Sequence, residues 1–114
     1  MTYLLKHATR RSVRVDERTR LNRPGFYGDA DVRVFVEDTT NRKWRRRIPE
    51  PRIRLRITDC TNQINLEFSV ATPEHRENSL YKVDTLLGAL HRFRDALDAE
   101  AELYAHRERH RRKT

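Results

Sequence analysis

Residues 52–70 read RIRLRITDCTNQINLEFSV, two alternating runs on either side of a short polar loop. In the first run Ile53, Leu55 and Ile57 alternate with Arg52, Arg54 and Arg56; in the second, Ile64, Leu66 and Phe68 alternate with polar residues. Period two with β-branched and large apolar side chains is the pattern of strands with one buried face. The loop Asp59-Cys60-Thr61-Asn62 suits a type I turn followed by a left-handed residue, a conformation that Asn tolerates. It predicts the pairs Ile57–Ile64, Leu55–Leu66 and Ile53–Phe68 on one face. The other face then pairs Arg56 with Asn65, Arg54 with Glu67 and Arg52 with Ser69. A slip of one residue would put arginines in the core, so the pattern itself specifies the register.

Upstream, residues 31–37 (DVRVFVE) alternate with Val32, Val34 and Val36 on one side and read as another strand. After a turn at Thr39-Thr40-Asn41, residues 43–48 (KWRRRI) are expected to return as a strand, and Pro49 and Pro51 then stop sheet pairing. A short edge strand is expected near residues 12–15, and Asn22-Arg23-Pro24-Gly25 marks a turn. Tyr3–Leu5 and Phe26–Tyr27 are expected to anchor an otherwise loose arm.

Downstream, Pro73 is expected to break a polar connection over residues 71–78, with Ser79 or Asp84 capping a helix. At 100° per residue Val83, Leu86, Leu87, Leu90, Phe93, Leu97, Ala101 and Tyr104 share one stripe. The final turns are rich in cations, which the helix macrodipole favours, before the end frays. Strands followed by one long helix give an α+β domain. Its antiparallel sheet of three to five strands is covered on one face by the C-terminal amphipathic helix. The expected organisation is an N-terminal arm over residues 1–31, a single domain over 32–104, and a basic tail over 105–114.

The 114 residues are 36% apolar and 37% charged, enough for one small core. A single cysteine excludes an intramolecular disulfide and fits a reducing compartment, so a cytoplasmic location is expected. No apolar run approaches a membrane span. The net charge of +8 is segregated. Residues 1–56 carry 16 Lys and Arg against 7 Asp and Glu, residues 57–104 carry 4 against 9, and residues 105–114 carry 5 against 1. Of the 25 cations 21 are arginine, whose planar fork suits phosphates and carboxylates. A GC-rich bacterial or phage genome produces the same bias.

Catalytic patterns are absent. HRERH at residues 106–110 lacks the glutamate position of the HExxH metalloprotease motif, and Cys60 has no histidine or cysteine beside it in sequence. Three separated glycines make no phosphate loop. The sequence therefore points to a non-enzymatic protein without cofactor or metal. The first expectation is a nucleic-acid surface, single strands included, on the arginine-rich sheet face. It comprises Lys43, Trp44, Arg45, Arg46, Arg47, Arg52, Arg54 and Arg56, with Trp44 or Phe35 stacking on bases. The alternative is an assembly module working through the distal helix at Leu97, Ala101, Leu103 and Tyr104. That stretch runs past the reach of a short strand and invites a protein partner or a second copy.

Overall fold

The computed structural model describes residues 12–41 and 50–113. Four strands, β1 (Ser12–Arg20), β2 (Ala30–Asp38), β3 (Ile53–Asp59) and β4 (Asn62–Glu67), form one antiparallel sheet in the order β1-β2-β3-β4. One helix follows, α1 (Pro73–Lys113). The architecture is α+β, as the sequence predicts. The expected strand over residues 43–48 lies outside the described residues. The chain divides into two compact units, Met1–Arg76 and Glu77–Thr114.

The β3–β4 hairpin has the predicted register. Leu55 faces Leu66, Ile57 faces Ile64, Arg54 faces Glu67 and Arg56 faces Asn65. The Phe68 amide donates to the Ile53 carbonyl at 3.2 Å and extends the ladder to the third apolar pair. The turn is tighter than expected. Asp59 pairs with Asn62, so only Cys60 and Thr61 stay outside the ladder. Cys60, not Asn62, takes the left-handed conformation, with φ of 54°. Positive φ at the first central residue is a feature of the primed turns, whose twist matches that of the flanking strands.

Strand β2 pairs Val32 with Ile57, Val34 with Leu55 and Val36 with Ile53, which continues the apolar face across the sheet. Phe68 is buried on this face. Strand β1 is nine residues long instead of a four-residue edge. Its second half carries no apolar period. Side-chain ion pairs to β2 accompany it there: Arg18 donates from Nε and Nη2 to Asp31 at 2.9 and 2.7 Å, and Arg33 reaches Asp16 at 3.2 Å. At the register shift between Val13 and Val15, Arg14 pairs with Asp38 at 3.4 Å. Bulges and charges of this kind blunt an edge strand against further pairing.

The β1–β2 connection contains the predicted turn. Gly25 adopts φ of 94°, and the Phe26 amide donates to Arg23 O at 3.2 Å. The expected anchoring role of its aromatics fails. Tyr27 is 98% exposed, and Phe26 is exposed beneath the Arg23 guanidinium, 5.0 Å from the ring centre.

Helix α1 starts earlier than expected. The cap is Thr72, neither Ser79 nor Asp84: its Oγ1 accepts from the His75 amide at 3.1 Å. Pro73 occupies the first helical position, where its missing N–H removes no helical hydrogen bond, so it opens the helix instead of breaking the chain. The helix runs through the basic segment to Lys113. At 41 residues it is about 60 Å long.

Candidate nucleic-acid interface

Alternation along β2 and β3 sends one set of side chains to the face opposite the valines and isoleucines. On β2 this set includes Arg33 and Phe35; on β3 it includes Arg54 and Arg56, with Arg52 just before the strand. The register places Phe35 directly across from Arg54, and Arg33 directly across from Arg56. Together Arg33, Phe35, Arg52, Arg54 and Arg56 line a concavity of about 190 Å³. Phe35 is half-buried between the guanidinium-bearing positions.

These arginines are only partly neutralised. Arg33 is held by Asp16 of β1. Arg54 lies 3.6 Å from Glu67, whose side chain is 69% exposed, so the attraction is heavily screened by water. Arg56 donates from Nε to the neutral amide oxygen of Asn65 at 3.0 Å. The Arg52 backbone amide donates to Glu37 Oε1 at 3.1 Å, and its guanidinium has no acidic partner among the described residues. Glu37 itself is only 3% exposed and fixes the end of β2 to the start of β3, since its own amide donates to Arg52 O at 2.9 Å.

Like charges directly opposite in a ladder are destabilising, so the Arg33–Arg56 pair is a standing cost to the sheet. A bound polyanion would offset it. Arg52, Arg54 and Arg56 repeat every second residue, about 6.7 Å along the strand. An anion with regularly spaced charges can therefore meet several guanidinium groups at once, while the ring of Phe35 between them offers an apolar plane.

The structure brings together three of the eight residues expected at this surface: Arg52, Arg54 and Arg56. Phe35, named as a stacking group, joins them. Lys43, Trp44, Arg45, Arg46 and Arg47 lie outside the described residues, and with them the direction of Trp44. Sequence reasoning missed Arg33. The signal was available, because Arg33 is two residues from Phe35 in the same alternating strand and must share its face.

Leu97, Ala101, Leu103 and Tyr104 are all on α1 and all exposed; Leu97 retains 56% and Tyr104 67% of full accessibility. His106 and His110 stack one turn apart with ring centres separated by 6.2 Å. Among the described residues no three His, Cys, Asp or Glu side chains converge on a point. No described helix is long and apolar enough to cross a membrane. Comparison of the chain with protein-family models, curated proteins and solved structures finds no match.

Proposed function

We propose that this is a small, non-enzymatic, cytoplasmic protein that binds single-stranded nucleic acid on the polar face of its sheet. The observation that supports this reading is the cluster of Arg33, Arg52, Arg54 and Arg56 around Phe35. Arginines would contact phosphates by charge-assisted hydrogen bonds, and Phe35 would stack on an unpaired base. Single strands are favoured over duplex because a ring set among the arginines meets a base only where that base is unstacked from its own helix. The lone thiol fits the reducing cytoplasm.

Fluorescence anisotropy against single-stranded and duplex oligonucleotides at two salt concentrations tests the reading. Single strands should bind more tightly. Four phosphate contacts predict an affinity loss of about 50-fold between 50 and 200 mM salt. No binding at low salt overturns the proposal.

A second reading, an assembly module, is favoured by the exposed apolar positions on α1. It concerns a different unit of the chain and is compatible with the first.

A further inference from the structure

Helix α1 carries a seven-residue repeat over residues 80–104. One series of seam positions holds Leu80, Leu87, Arg94 and Ala101; the other, three residues on, holds Val83, Leu90, Leu97 and Tyr104. Seven of these eight are apolar or aromatic, and Leu86 and Phe93 flank the seam on one side. This is the 3.5-residue spacing of a helix that packs along another helix of the same kind. The residues of α1 cannot bury such a stripe against one another, because they lie on one face of a single rod. Its large apolar seam residues Leu80, Val83, Leu87, Leu90, Leu97 and Tyr104 are exposed, and so is Phe93 at 66%. Seven large side chains exposed along one face are the kind of surface a partner helix buries, and a standard stable interface takes about 800 Å² from each partner.

We infer that the occupant of this stripe is the same stripe of a second copy, running antiparallel. This builds on the assembly reading of the helix and does not depend on nucleic-acid binding. Two features select the direction. In a parallel pair Arg94 would face its own copy inside the seam, whereas antiparallel pairing sets it against Leu90 of the other chain. The alignment that achieves this also layers Leu80 with Tyr104, Val83 with Ala101 and Leu87 with Leu97, centred on residue 92.

The second feature is the distribution of charge. Residues 105–113 carry Arg107, Arg109, Arg111, Arg112 and Lys113 against Glu108 alone. A parallel pair would hold two such ends within about one Debye length of each other, ~8–10 Å. The antiparallel alignment separates them and places Arg107 at the level of the opposite Glu77, and His110 at the level of Glu74. It also opposes the two helix macrodipoles.

The experiment uses the full-length chain without oligonucleotide. Sedimentation equilibrium at micromolar concentration should show a dimer. Leu90→Asp with Leu97→Asp should return it to monomer, with helix content followed by circular dichroism. In case that double variant loses its helix, Arg94→Leu supplies the opposite test: removing the seam charge should tighten the dimer on the order of tenfold. Direction is read with a spin label at Ala105→Cys in a Cys60→Ser background. Antiparallel pairing places the two labelled positions about 40 Å apart; parallel pairing places them about 10 Å apart, and a short distance overturns the proposal. A monomer whose helix amides exchange rapidly overturns self-pairing alone. A monomer with slowly exchanging helix amides has the stripe covered within its own chain, which overturns self-pairing and the assembly reading together.

Discussion

The sheet presents two arginine-rich borders, and they have different fates. Along β1–β2 three of the four arginines meet an acid across the strands: Arg14 with Asp38, Arg18 with Asp31, and Arg33 with Asp16. Along β3 the acids thin out. Arg54 has only a screened glutamate, Arg56 a neutral amide, and Arg52 no acidic partner among the described residues. The same side chain thus serves as a cross-strand tie in one place and as partly compensated charge in the other. Arginine content alone says little about binding; what matters is how much of each charge the fold has already satisfied. Arg33 stands at the boundary, tied to Asp16 on one side and facing Arg56 on the other.

The sharpest way to break the contrast is to change Arg52, Arg54 and Arg56 together to Ser. Oligonucleotide affinity at low salt should fall on the order of 100-fold, and the slope of log affinity against log salt should shrink by about 2. Anisotropy at three salt concentrations reads both. Unchanged affinity would move the site elsewhere.

Phe35→Ala comes next. Loss of one base stack should cost about 1–3 kcal/mol of binding while leaving the salt slope as it was. A urea titration of the same variant separates that loss from damage to the sheet.

On the paired border the expected effect moves from binding to stability. Arg18→Ala takes the charged partner from Asp31, a buried carboxylate, and should destabilise folding by about 1–2 kcal/mol in urea. Oligonucleotide affinity should stay within about twofold of the parent. A large loss of binding there would erase the distinction between the borders.

Glu67→Gln sharpens the contrast from the other side. The exposed pair contributes little to folding, so stability should move by less than ~0.5 kcal/mol. Freed of its acid, Arg54 should raise affinity about two- to fivefold.

The smallest effect is in acid. Hydrogen bonds from the Thr40 hydroxyl and amide, with Arg14 nearby, hold the Asp38 carboxyl below its ordinary value. A depressed carboxylate contributes stability above its unfolded pKa and loses it as pH falls through the folded one. Thermal melts taken downward through the acid range should therefore show a slightly steeper loss for the parent than for Thr40→Ala.

The hairpin was the most legible element because three apolar pairs and three polar pairs all demanded one register, and the structure has it. The face of Phe35 followed from the same alternation. Less legible was the second half of β1, where DERTR has no apolar period and a partner strand supplies the acids and cations that complete it. Pro73 misled for a local reason. A proline is equally at home breaking a helix and opening one, and only Thr72 Oγ1 on the His75 amide shows which. The turn assigned the left-handed conformation to Asn62 because Asn tolerates it best. The two-residue loop places Cys60 there instead.

That placement gives the turn a chemical character. The chain's only thiol occupies the one non-glycine residue with positive φ among the described residues, exposed at the hairpin tip. Left-handed backbone costs an L-residue roughly 1–2 kcal/mol, a penalty that glycine escapes. The most strained peptide unit of the hairpin and its one oxidisable atom are therefore the same residue. An alkylating or oxidising agent acting there modifies the point where the two strands are joined, while the arginine side chains four to eight residues away keep their chemistry.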